Sequence, residues 1–464
     1  MNVADSSGLP ADLASWIRSE THASELTIER QRAGGSRAGF AVDVVENDGS
    51  VQRLWLRLDL GVGPLSQTPF TLQREATVYR ALQSTNVRVP ELIAVHPTLE
   101  AFLMRRVEGR NWFVEIEDPA ERESVASDFM HQLGEIHAID PLDLELPGFG
   151  KPKALSEHIL DEIDLWEDLH RQGVAELDPI VLTACSWLRG HVPPDGTGEV
   201  VFTQGDTGPG NFMFKDGRVT AVLDWENAHF GDFHDDLAWI YVRDLQERFT
   251  HLPTRLAEYQ AITGRTVDLE RLKYFIVLAQ MRAAVGTLNA VESKSARGEI
   301  ANHLIYGALH LRMLAEALGQ AAGVGSTHSF EMVAESAEAT EFTWLFDVAL
   351  DELREVIVPE LSGNDFALRR GKGLARIVKV LRDYDRSRDR VERAERADLE
   401  ALLGTPCERI DIGRRLLCAA ISKGEISELD CIGYGLRNVD RKMASMSMAM
   451  GSLAKRHFSP IEVA

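Results

Sequence analysis

Cysteine is scarce in this sequence, with four in 464 residues (Cys185, Cys407, Cys418, Cys431). None is spaced as CxxC, and no histidine accompanies them in a zinc pattern. That argues against a disulfide framework or structural zinc and for small buried thiols in a reducing compartment. Positive charge is also short: 50 Lys and Arg face 72 Asp and Glu, for a net charge of −22. So acidic a chain is a poor fit for a nucleic-acid groove or for docking on anionic lipid. The surplus reads as solubility charge, although it would also attract a cationic substrate. No run of about 18 apolar residues appears, so no membrane span is expected. The opening "MNVADSSGLPADLASWIRSE" lacks the basic start and apolar core of a signal peptide, so the expected location is cytoplasmic. There is no internal repeat and no low-complexity segment.

What is present falls into three stretches. The first ~30 residues read as a helix with Trp16 and Ile17 on its apolar side. Short β-rich runs follow, broken by a Gly-rich loop (Gly34, Gly35, Ser36, Gly39) and by "ENDGS", a hairpin signal. "PFTLQREATVYRALQ" has helical spacing, with Leu72, Ala76, Tyr79 and Leu82 on one face, and two more strands follow it. From about Asp118 the pattern is mostly helical. "AAGVGSTHS" then breaks it, and from about residue 329 the chain reads as wholly helical. The expectation is an α+β chain: an N-terminal helix and β-rich lobe over 1–106, a helical lobe over 107–322 and an all-α accessory domain over 329–464.

Chemistry concentrates in "VFTQGDTGPGNFMF" and, ten residues on, "VLDWENAHFGD". Asp206 follows an apolar strand, Asn211 opens a second, and Asp224 ends a third. Pro209 and Gly210 fix the turn between Asp206 and Asn211. Antiparallel strands joined by a tight turn bring Asn211 and Asp224 to neighbouring strand ends. Hard oxygen ligands of this kind suit Mg²⁺ that already carries phosphate oxygens. Asp206 is then free to orient or deprotonate a hydroxyl, the division of labour in phosphoryl transfer. An Asx-rich turn between strands explains any one of these residues, but not their joint spacing.

These motifs resemble the aminoglycoside phosphotransferase and choline kinase superfamily, which has the protein-kinase-like fold. Within it they look like the branch related to the kinase domain of acyl-CoA dehydrogenase fusion proteins. The resemblance spans about Ile28 to Gly319. It implies that Asp206 is the catalytic Asp, that Asn211 and Asp224 hold Mg²⁺, and that Trp225, Glu226 and Asp232 belong to the supporting signature. Gln204 departs from the family's His two residues before the catalytic Asp. An amide can still hydrogen-bond the surrounding backbone, without a titratable ring.

A kinase needs a nucleotide site upstream. "RAGGSRAGF" offers Gly34, Gly35 and Ser36 as a phosphate-covering loop, though a plain hairpin turn reads equally well. Arg57 in "LWLRLDL" stands where the superfamily often has Lys, and Glu75 in the following helix would hold it. Met104 to Arg106 would meet the base of ATP or GTP at the hinge. The bland readings are an outward strand Arg, a solvated Glu and a core Met, and it is their order along the chain that favours the nucleotide site. His137 reads as structural, His229 and His234 as packing or capping residues, and Asp236 as a helix cap.

The expected function is ATP- or GTP-dependent transfer of a γ-phosphate to a small-molecule hydroxyl. The resemblance suggests a hydroxyacyl-CoA-type acceptor, with an aminoglycoside- or macrolide-like one as the other substrate class. The alternative is a pseudokinase-like scaffold. Residues 329–464 resemble an uncharacterised helical domain attached to such phosphotransferases, where a homodimer contact or a protein partner is expected to bind.

Overall fold

The computed structural model describes residues 9, 12–31, 37–61, 63, 65–196, 198–294, 299–325, 339–458 and 461. The chain divides into two compact units. One comprises Met1–Ile159, Pro193–Leu272 and Glu462–Ala464, and the other Leu160–Val192 and Lys273–Ile461. The sequence-drawn segment 107–322 contributes to both.

The first unit is built on a five-stranded antiparallel sheet of order β1-β2-β3-β5-β4. Its strands are β1 (Ala23–Gln31), β2 (Ala38–Glu46), β3 (Val51–Leu58), β4 (Leu92–Val95) and β5 (Ala101–Arg105). Alternation in "GFAVDVVE" and "QRLWLRL" buries Phe40, Val42, Val44, Leu54, Leu56 and Leu58 on one face. Helix α1 (Leu13–Thr21) covers that face through Leu13 and Ile17. The helix expected over the first ~30 residues is therefore shorter than the sequence suggested. His22 takes a left-handed conformation (φ 53°) and ends it, and "ASELTIERQ" continues as an edge strand. Helix α2 (Leu72–Leu82) is capped by the Thr71 side chain and buries Leu72, Ala76, Tyr79 and Leu82, as its spacing predicts.

Beyond the sheet come α3 (Pro119–His137) and α4 (Leu155–Gly173), then α5 (Pro179–Gly190). Two small ribbons follow, in which β6 (Val200–Thr203) pairs with β9 (His229–Asp232) and β7 (Phe212–Lys215) with β8 (Arg218–Val222), each antiparallel. Helices α6 (Phe233–Gln246), α7 (Leu252–Thr263), α8 (Leu269–Glu292) and α9 (Ile300–Ala321) complete this stretch. By length and composition α8 could cross a membrane, but 67% of its apolar window is buried, as in a core helix.

The second unit is helical. It adds α10 (Thr343–Glu352), the one-turn α11 (Val358–Glu360), α12 (Asp365–Leu403), α13 (Ile410–Lys423), α14 (Glu428–Ala444) and the one-turn α15 (Ser447–Met450). Leu182, Leu399, Leu417, Ile421 and Tyr434 form its core with Cys407, Cys418 and Cys431. All four cysteines are buried and free. Buried Glu395 accepts both prongs of Arg414 (2.6 and 2.8 Å) and the Tyr434 hydroxyl (2.9 Å), so its charge is compensated inside that core. Of the methionines near the C-terminus, Met443, Met446 and Met450 are buried and Met448 is exposed.

The architecture agrees with the expected fold class: a β-rich N-terminal region, a helical remainder and an all-α C-terminal region.

Candidate active site

The β7–β8 register carries the site. Phe212 faces Val222, and the Leu223 amide donates to the Asn211 carbonyl at 2.8 Å. Asn211 and Asp224 therefore leave their ribbon side by side. Asn211 Nδ2 donates back to the Asp206 carbonyl (2.7 Å) and carboxylate (2.9 Å). Gln204 closes the loop. Its Nε2 donates to the Leu223 and Asp224 carbonyls (2.9 and 2.7 Å), while its Oε1 accepts from the Asp206 amide (2.8 Å). A glutamine thus makes the backbone contacts its position requires.

The loop backbone hangs on Asp236. Its carboxylate accepts from the Gln204 and Gly205 amides at 2.9 and 2.8 Å. His137, the last residue of α3, meets Asp236 Oδ2 at 3.0 Å and the Tyr259 hydroxyl at 2.7 Å. Asp236 is therefore not the helix cap that sequence suggested. Asp232 is the cap, accepting from the His234 amide and pairing with His234 Nδ1 (2.7 Å) and Arg271. Burial would raise the Asp232 pKa, but the bonds from His234 and the charge of Arg271 win and hold it below the ordinary value. Gly205 has φ +80°, and a Cβ there would lie 2.2 Å from the Asn227 carbonyl, so only glycine fits.

Arg57 projects from β3 into a cluster of carboxylates. Its guanidinium reaches Glu75 Oε1 at 3.1 Å, Asp224 Oδ1 at 3.0 Å and Glu226 Oε2 at 3.7 Å. Arg37 contributes from the start of β2, 3.2 Å from Asp59 and 3.8 Å from Glu226. Glu75 is fully buried and also accepts the Trp225 amide (3.3 Å). Two arginines thus face four carboxylates, and Glu75 Oε2 and Glu226 Oε2 have no hydrogen-bond partner among the described residues. Burial, only partly offset by Arg57, pushes the Glu75 carboxyl up to about 7. Burial and the neighbouring Asp224 push Glu226 up to about 8.

That surplus of buried negative charge, with Asp224 Oδ2 turned away from Arg57, fits a divalent cation held through oxygen. Among the described residues no group of three or more His, Cys, Asp or Glu side chains is gathered as a metal cage. Asp224 has φ +61°, a left-handed conformation rare outside glycine and asparagine.

Sequence reasoning missed Arg243. From α6 its Nε donates to Asp206 Oδ1 at 2.7 Å, and Nη2 pairs with Oδ2. Burial raises the Asp206 pKa, and Arg243 holds the shift back. Gly208 (φ +135°) makes room, since a Cβ there would meet Arg243 Cβ at 2.8 Å. The one sequence signal was a cation seven residues after Asp236, two turns along the same helix face. Arg37 was missed because it adjoins the Gly-rich loop, which claimed the attention.

Gly34, Gly35 and Ser36 lie outside the described residues. Met104 is buried in β5 opposite Trp55 and Leu92. Arg106 pairs with Asp43, its amide donating to the Arg53 carbonyl at 3.0 Å, and the Arg105 amide donates to Glu91. The chain continues from there with Val107.

Two outcomes follow from this geometry. Glu75 and Glu226 have folded pKa values above their unfolded ones. Their contribution to stability is therefore present below about pH 4.5 and lost as pH rises through about 7 to 8. In metal-free protein, melting scans should show that loss between pH 5 and 8.5. Added Mg²⁺ should stabilise more at pH 8.5 than at pH 6, because ionised Glu75 and Glu226 add negative charge around the cation. An equal Mg²⁺ effect at both pH values would contradict the assignment. Arg243→Gln removes the one guanidinium paired with Asp206 among the described residues. The acid limb of the pH–rate profile should move to higher pH, with a loss of about 10- to 100-fold in turnover at pH 7.

Three comparisons bear on this arrangement. Residues 37–275, just over half of the chain, match the family model described as "Phosphotransferase enzyme family". Acyl-CoA dehydrogenase family member 11 of Rattus norvegicus is 26% identical over 253 residues, which are 52% of this chain and 31% of that protein. Its Homo sapiens counterpart is 29% identical over 224 residues, 46% of this chain and 27% of that protein. The match thus spans less than a third of these curated relatives. A solved Ralstonia eutropha structure, named as a candidate aminoglycoside phosphotransferase, aligns with TM-score 0.52 at 22% identity over 67% of this chain and 97% of its own. It shares the fold. The family model covers β2 to β5 of the sheet together with Asp206, Asn211 and Asp224, and the chain belongs to the phosphotransferase enzyme family.

Proposed function

We propose that this chain is a Mg²⁺-dependent kinase that transfers the γ-phosphoryl group of ATP or GTP to the hydroxyl of a small molecule. The carrying observation is the convergence of Asp206, Asn211 and Asp224 at one loop edge, with Arg57 facing Asp224 from β3.

Asp206 accepts the acceptor's proton as its oxygen forms the new P–O bond. The β–γ bridging P–O bond breaks and the nucleoside diphosphate leaves. Asn211 and Asp224 hold Mg²⁺, which when bound neutralises charge on the polyphosphate. Arg57 grips phosphate oxygens, oriented by Glu75. The same guanidinium contacts Asp224 and Glu226. The base of the nucleotide meets the hinge from Val107 onward.

For the acceptor, the shared segment with the acyl-CoA dehydrogenase family member 11 proteins supports a hydroxyacyl-type compound. A cation beside the base, Arg243, suits an acceptor that carries negative charge better than a polycationic one. A scaffold reading is favoured by one observation: Arg243 already occupies both oxygens of Asp206.

Two variants separate these readings. Asp206→Asn should lower turnover by about 10²- to 10⁴-fold while Mg²⁺·nucleotide still raises the melting temperature. Asp224→Asn should abolish that Mg²⁺-dependent rise, which for wild type at a hundred times the dissociation constant corresponds to about 2.7 kcal/mol. Full turnover in Asp206→Asn would sink the catalytic assignment. No shift with either nucleotide in wild type would favour the scaffold.

A further inference from the structure

We propose that the outer face of α10 and α12 in the second unit is where two copies of this chain associate. The proposal is independent of the phosphotransfer reading. Helix α10, "TWLFDVALDE", is apolar, yet none of its residues is fully buried. Beside Trp344 (62%) and Val348 (56%) of α10, six large apolar side chains at the α10 N-cap, on α10 and on α12 stand about half exposed: Phe342 49%, Leu345 46%, Phe366 55%, Leu374 50%, Leu381 50% and Tyr384 47%.

Around each helix these six keep to one flank. The ion pair Asp347–Arg382 (2.6 Å) marks one edge of the seam between the two helices. At about 100° per residue, Phe342 and Leu345 lie about 140 to 160° around α10 from Asp347. By the same count Phe366, Leu374, Leu381 and Tyr384 all lie about 80 to 160° to one side of Arg382, on the flank away from that edge. Ile377 is half-buried within this stripe. Residues 374, 377, 381 and 384 repeat at the 3-4 spacing of a helix–helix seam.

Area and charge both favour a second copy. At roughly 100 Å² for each half-exposed large side chain, six sum to about 600 Å². That is the upper end of what a monomer leaves in one patch, and close to the roughly 800 Å² per partner of a stable interface. Residues 343–357 carry Asp347, Asp351, Glu352 and Glu355 against Arg354 alone. The first half of α12, residues 365–379, carries Arg369, Arg370, Lys372, Arg376 and Lys379 against Asp365 alone. An acidic strip beside a basic one is self-complementary across a two-fold axis, because each copy offers both.

Light scattering coupled to size exclusion tests this with the full chain at about 1 to 100 µM. Wild type should run at twice its 51.6 kDa chain mass. Leu374→Glu/Leu381→Glu should run at the single-chain mass, with at least a 100-fold weaker self-association and unchanged circular dichroism. Leu142→Glu, at an exposed leucine of the first unit, should stay dimeric. A wild-type monomer throughout that range would overturn the proposal, as would a double variant that remains dimeric. If wild type is monomeric and Leu381→Cys is shielded from a thiol reagent, the face is covered by its own chain.

Discussion

The site depends on where one guanidinium sits. Arg57 is held from the sheet and touches carboxylates from α2 and from the loop after β8. A charge that far from water persists only with opposite charge around it. The Glu75–Arg57–Asp224 line therefore ties β3, α2 and the loop after β8 together. Removing Arg57 would leave its carboxylate partners buried with less opposite charge. The cluster nevertheless keeps more negative than positive charge, and the fold tolerates this by raising two carboxyl pKa values. The same imbalance is what makes the pocket receptive to a dication.

A second support lies behind the first. Asp236 fixes the Gln204–Gly205 backbone, and His137 and Tyr259 fix Asp236. None of these side chains reaches the loop edge where Asp206 and Asn211 meet, so their part is to make the loop rigid. Asp206 stands between this scaffold and Arg243, which gives its carboxylate a defined direction before any acceptor arrives. Preorganisation of this kind removes reorganisation from the reaction itself.

The catalytic loop was legible in the sequence because it is local. Asp206, Gln204, Asn211 and Asp224 lie within 21 residues, and tight turns with two-residue strand periods leave few ways to arrange them. Arg57 and Glu75 were legible only through their order along the chain. Arg243 was not, because it lies on a helix that is mostly apolar and its partner is 37 residues away. Asp236 was misread because acidic residues in a first helical turn usually cap it, and Asp232 already does so. The end of α1 was missed because one left-handed residue, His22, has no strong sequence signal. The division into two units was also hidden, since amphipathic helices show that they pack but not against what.

Asp224 occupies a left-handed backbone conformation that costs a non-glycine residue on the order of 1 kcal/mol. Glycine would relax that strain. A single nucleotide change in an Asp codon yields Gly, so the change that would delete this carboxylate would also ease the backbone that carries it. The relaxed backbone would offset part of what Arg57 loses with that partner.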